Sequence, residues 1–189
     1  MKTAWLFPGQ GMEEPRMGLA FAAVHPEARR LLAWAGDCIR QDALKLLESH
    51  PAKLGKTDIL QPVLTAVALG ACLACRDALP SPDFTAGHSL GEVAALSASG
   101  LASAADAVRL AAARGAIMAR EAGKCDGGMA ALFGGREDVE RALAAAERQG
   151  AVDLAAHNAP EEWVLSGERR ALARLAAAFP LRRLGVSGP

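Results

Sequence analysis

The feature that most restricts this chain is the pentapeptide Gly87-His88-Ser89-Leu90-Gly91. It stands between a short apolar run, Phe84-Thr85-Ala86, and a helical pattern reaching about Ser97. A serine with a glycine two residues to either side fits a sharp turn from a strand into a helix. The serine oxygen then projects from the sheet, and the glycines let neighbouring backbone approach. The N-terminus of the helix offers unpaired N–H groups to an oxyanion. Glu92 falls in the first helical turn, where negative charge suits the helix dipole. The bland alternative is an ordinary strand-to-helix turn. A second sharp turn, Phe7-Pro8-Gly9-Gln10-Gly11, follows the apolar run 3–7; its glycines would let backbone N–H groups face a ligand, or it is a plain loop.

Turns of this kind need a sheet and helices around it, so the expected fold class is α/β. Of 189 residues, 51% are hydrophobic, yet there are only five Phe, three Trp and no Tyr. The core must therefore come from Ala, Leu and Val. Residues 19–49 read as helical, broken near Pro26 and Gly36. Residues 61–79 read as a buried helix with Pro62 in its first turn, where a missing N–H costs little. Ser103 and Asp106 look like an N-cap pair opening a helix to about Ala122. After Gly127 the elements become shorter. Strands are expected at 129–133, 152–156, 163–166 and 182–186, and helices at 136–148 and 168–179. That order, β-α-β-β-α-β, is the ferredoxin-like plan. We therefore expect two lobes, 1–124 and 125–189. The first shows only two clear strands, few for a finished sheet, so it reads as apparently incomplete.

Twenty-one Lys plus Arg balance twenty-one Asp plus Glu. That argues against a nucleic-acid partner, and scarce aromatics argue against base stacking. The most apolar run, 59–75, is interrupted by Gln61, Pro62 and Thr65, so no membrane span is expected. The N-terminus is too short in apolar residues for a signal peptide, which makes the cytosol the expected compartment and reduced thiols the expected state. Cys72 and Cys75 share a helix face but lack two further ligands, so no metal is expected. His25 and His50 read as helix-surface residues. His157 reads as a loop residue of the second lobe and a minor candidate for a general base.

The two turn motifs together are similar to the signatures of the malonyl-CoA:acyl carrier protein transacylase family, which includes acyltransferase domains of fatty acid and polyketide synthases. Thr57-Asp58-Ile59-Leu60-Gln61-Pro62, Ala113-Arg114-Gly115, Gly127-Gly128-Met129-Ala130-Ala131 and Asn158-Ala159-Pro160 resemble further family segments, in order along the whole chain. The resemblance implies a hydrolase-like larger lobe with the ferredoxin-like lobe inserted in it. It implies Ser89 as the nucleophile taking an acyl group from a coenzyme A thioester. Backbone N–H groups of Gln10 and Leu90 would form the oxyanion hole, and Arg114 would hold the malonyl carboxylate with its two-pronged fork. Gln61, His88 and Asn158 would line the substrate site. The His88 side chain, beside the nucleophile, is expected to point elsewhere. The acceptor would be the phosphopantetheine thiol of an acyl carrier protein, with no other cofactor.

A serine nucleophile needs a base. In the family a histidine follows a Val-Ser pair, and Val186-Ser187-Gly188-Pro189 resembles that lead-in. The expectation is that a separate C-terminal polypeptide supplies the histidine. Two rivals stay open: an acyl hydrolase of the same fold, and a non-catalytic fragment binding acyl chains or a carrier protein.

Overall fold

The computed structural model describes residues 2–49, 51–76 and 78–185. His50 and the lead-in 186–189 lie outside them. In order the elements are β1 (Ala4–Phe7), α1 (Leu19–Val24), α2 (Pro26–Ile39), α3 (Ala43–Ser49), α4 (Pro51–Leu54), α5 (Thr57–Cys75), β2 (Phe84–Gly87), α6 (Gly91–Ala98) and α7 (Ala104–Ala122). They continue as β3 (Gly127–Phe133), α8 (Arg136–Ala146), β4 (Val152–Ala159), β5 (Glu162–Glu168), α9 (Arg169–Leu175) and β6 (Leu181–Arg183). The chain divides into two compact units, Met1–Met118 and Ala119–Pro189. The division falls within α7, whereas sequence composition changes just after that helix ends. The architecture is α/β.

In the first unit β1 and β2 form a parallel pair. The core is mostly Ala, Leu and Val, with Ile59 and Phe7, and α5 runs through it with Leu60, Val63, Ala66 and Leu69 buried. α5 is long and apolar enough to cross a membrane by length and composition, and about half of it is buried inside the unit, so packing accounts for its apolarity. It starts at Thr57, four residues earlier than the sequence reading, with Asp58 in its first turn. Pro62 therefore sits in the second turn and withholds one helical hydrogen bond. Gly36 does not break α2. A side chain there would meet the Gln41 carbonyl oxygen at 2.7 Å, so the glycine lets the following loop fold back. The helix stops at Arg40, which is left-handed at φ 55°.

The second unit has the element order β-α-β-β-α-β, with an antiparallel sheet in the order β4-β5-β3-β6. Ala130, Leu132 and Leu165 of the sheet share one core with Val139 and Ala142 of α8 and Leu172 and Leu175 of α9. β4 is longer than expected and takes in His157, which is therefore on a strand and not in a loop. His157 is the register partner of Trp163, and their rings stack at 3.6 Å with an interplanar angle of 2°. Register shifts between Leu154 and Ala156 and between His157 and Ala159 break the alternation that would have marked a strand. α9 is shorter than expected, because the chain after Leu175 tightens into turns before Pro180.

Ser103 caps α7 as its sequence implies: Asp106 N–H donates to Ser103 Oγ at 3.1 Å, and Ser103 Oγ donates to the Asp106 carboxylate at 2.6 Å. The hydrogen bonds from Ser103 and then Arg109 hold the Asp106 carboxyl below its ordinary pKa. A depressed folded pKa contributes stability above the ordinary carboxylate range and loses it as pH falls through the lowered value. Ser103→Ala is expected to cost about 1 kcal/mol in urea unfolding at pH 7, and the gap between variant and wild type should shrink in strong acid.

Candidate active site

Phe7 and Gly87 are register partners at the ends of the parallel strands. The two glycine-bearing turns therefore leave the sheet side by side at the C-terminal ends of the strands, the usual ligand side of parallel α/β sheets. His88 N–H donates to the Phe7 carbonyl at 3.1 Å and ties the turns together. Ser89 is exposed and left-handed, at φ 54°. That conformation costs a residue with a Cβ about 1–3 kcal/mol. The surrounding backbone enforces it. A Cβ on Gly87 would lie 2.1 Å from the Gly91 carbonyl carbon, and a Cβ on Gly91 would lie 2.1 Å from the Phe7 carbonyl oxygen. Two strand ends and a helix start are packed backbone against backbone.

Ser89 Oγ meets Arg114, on α7. Arg114 Nη2 donates to Ser89 Oγ at 3.0 Å, and Nη1 donates to Gln61 Oε1 at 2.9 Å. Gln61 is fully buried on α5. α5 and α7 come close because residue 115 is glycine: a Cβ there would meet the Thr57 carbonyl oxygen at 2.7 Å and Gln61 Cβ at 3.2 Å. Gln10 is half-buried, and its Nε2 donates to Thr57 Oγ1 at 3.4 Å. The backbone N–H groups of Gln10 and Leu90 have no hydrogen-bond acceptor among the described residues. Leu90 itself is buried.

Arg114 differs from other arginines of the chain. Arg109, Arg120, Arg136 and Arg169 each pair with a carboxylate. Among the described residues no carboxylate pairs with Arg114, whose partners are a neutral amide and a hydroxyl. Its charge is directed but not cancelled, which suits an anionic ligand.

The first unit thus brings together Gln10, Gln61, Ser89, Leu90 and Arg114. His88 belongs to the same turn, but its Nδ1 lies 2.9 Å from where a Cβ of Gly9 would be, so its ring packs over that glycine. Asn158 is on β4 in the second unit, where its Nδ2 donates to Glu162 Oε1 at 3.2 Å. The sequence places Thr57 and Gly115 in motif segments without a role for either, and it does not single out Met118. The spacing of Met118, four residues after Arg114 on one helix face, was the available signal for it. Away from this cluster, burial and then Cys75 push the Cys72 thiol up to about 11.

A model of the family described as acyl transferase domain matches residues 4–186. The polyketide biosynthesis protein ThaF of Burkholderia thailandensis is 41% identical over 167 residues, 87% of this chain and 14% of that protein. The malonyl CoA-acyl carrier protein transacylase of Haemophilus influenzae is 32% identical over 180 residues, 93% of this chain and 58% of that enzyme. A solved structure of a type II polyketide synthase acyl carrier protein in complex with its malonyl-transacylase matches with a TM-score of 0.88 at 30% identity. The match covers 100% of this chain and 64% of that one. The chain thus spans less than two thirds of the length of these relatives.

Two outcomes test the geometry. Gly91→Ala should destabilise the first unit by about 1–3 kcal/mol or more in denaturant unfolding, since backbone has to move. Iodoacetamide at pH 8 should modify the exposed Cys38 and Cys125 first, and labelling of Cys72 should rise only as pH approaches about 11.

Proposed function

The chain belongs to the acyl transferase domain family, and from that membership we propose that it moves a malonyl group from coenzyme A to the phosphopantetheine thiol of an acyl carrier protein through an ester on Ser89. The observation that carries this reading is the fork of Arg114, with one arm on buried Gln61 and the other on Ser89 Oγ. An acyl group esterified to Ser89 that ends in a carboxylate meets a guanidinium that, among the described residues, has no competing carboxylate. The Haemophilus relative is named for malonyl transfer, and the solved complex pairs a malonyl-transacylase with a carrier protein. Both names support the same substrate class.

In this mechanism Ser89 Oγ bonds to the thioester carbonyl carbon. The negative oxygen of the tetrahedral intermediate is met by the N–H groups of Gln10 and Leu90. The C–S bond breaks, and coenzyme A leaves as its thiol with the proton that Ser89 gave up. The phosphopantetheine thiol then attacks the ester carbonyl; the bond to Ser89 Oγ breaks as the thioester forms, and the thiol's own proton ends on Oγ. Arg114 cannot be the base for either step, because guanidinium only donates. Its work is to orient the acyl group, and water must stay off the ester for transfer to outrun hydrolysis.

The finer fold reading belongs with this proposal. We read the first unit as a hydrolase-like lobe, supported by the left-handed serine between a parallel strand and a helix. We read the second as a ferredoxin-like lobe, supported by its strand order β4-β5-β3-β6. The four free cysteines suit a reducing compartment such as the cytosol.

Incubation with malonyl-CoA is expected to leave a malonyl ester on Ser89, located by peptide mass spectrometry, and Ser89→Ala should abolish it. Arg114→Ala should lower malonyl transfer far more than acetyl transfer, by orders of magnitude, since a paired charge would be left alone. Equal losses for both acyl groups would make Arg114 a structural residue only. A label on a cysteine would overturn the serine mechanism.

A further inference from the structure

We infer that Met118 is a positioning residue for Arg114: its thioether sulfur accepts a hydrogen bond from Gln61 and so fixes which end of the Gln61 amide faces the guanidinium. The inference rests on the reading of Arg114 as the carboxylate-binding group. Arginine has five donors and no acceptor, so only the oxygen of the Gln61 amide can meet it. That orientation, with Oε1 2.9 Å from Arg114 Nη1, sends Nε2 the other way, where it lies 3.3 Å from Met118 Sδ. Gln61 is fully buried, so an unpartnered N–H there would carry the full penalty of lost hydration. A flipped amide would set its NH2 against the cation and its oxygen against the lone pairs of sulfur. Both contacts would then be wrong at once.

The arrangement matters most when a substrate arrives. Nη2 is the arm that has to turn from Ser89 Oγ to the acyl carboxylate. Nη1 on Gln61 is the arm that stays. Arg114 and Met118 stand four residues apart on α7, so one helix grips the Gln61 amide at both ends. Met118 follows buried Ala111 and Gly115 on one face of α7 and is 38% exposed, so it stands at the margin of the packed face with its sulfur turned to Gln61. It acts through Gln61 and Arg114 without touching the reacting atoms.

The test compares Met118→Leu, which keeps volume and removes the acceptor, with Met118→Gln, which restores a carbonyl acceptor on a side chain of similar length. The chain has four glutamines and one asparagine, so the NMR spectrum holds five side-chain NH2 pairs, and Gln61→Leu identifies the one that matters. In Met118→Leu the Gln61 NH2 protons should exchange with water about 10-fold faster or more, with Gln10 and Gln149 unchanged as internal controls. Met118→Gln should restore protection. In transfer assays Met118→Leu should raise KM for a malonyl donor about 3- to 10-fold, the scale of one hydrogen bond, with kcat and acetyl transfer unmoved. Unchanged Gln61 exchange in Met118→Leu would overturn the inference. If the exchange result held while wild type treated malonyl and acetyl donors alike, the positioning role would stand and the reading of Arg114 as a carboxylate receptor would fall.

Discussion

The rest of this molecule depends on one close approach, that of the Gly91 backbone to the carbonyl of Phe7. The helix carrying the elbow begins directly against the end of the neighbouring strand, and no side chain fits between them. Because α6 cannot start further out, the residues linking β2 to it must double back sharply. Ser89 takes the left-handed conformation that this requires. The strain at Ser89 is held in place by parallel pairing over four residues on one side and by the helix on the other. A serine presented in this way has its oxygen clear of the backbone and close to a helix N-terminus. The chemistry of the turn follows from its packing.

A second constraint sets what that serine can face. α5 and α7 touch at Gly115, which brings a guanidinium to a buried amide and to the serine hydroxyl. Arginine chemistry decides the consequence. Paired with a carboxylate, as Arg169 is with Asp126, the charge would be spent on the fold. Paired with an amide and a hydroxyl, the cation is aimed and still attractive to an anion. The same helix contact accounts for three site residues at once, since Gln10, Gln61 and Arg114 all reach the first two turns of α5 or lie on them.

Much of this was legible in the residues. The Gly-x-Ser-x-Gly spacing forecast the elbow, because few other residues permit backbone contact on both sides of a turn. The Ser103–Asp106 pair forecast the start of α7, because an N-cap bond is local and needs no tertiary help. The element order of the second unit was readable from apolar runs and turn residues. The strand character of His157 was not, because its partner Trp163 lies across the sheet and bulges hide the alternation. The break near Gly36 was misplaced for a related reason: the glycine serves a contact with Gln41, five residues on, and leaves the helix intact.

By itself, then, the sequence determined the α/β class, the glycine-flanked serine turn and the family that this chain joins, because those depend on local spacing and on residue types with special backbone freedom. Only the tertiary structure decided that Arg114 reaches Ser89 while held by Gln61, that Gly115 makes this possible, and that Met118 completes the set. Those residues come from different helices and a turn, and whether their donors and acceptors meet depends on how closely the helices pack, which no spacing within one segment records.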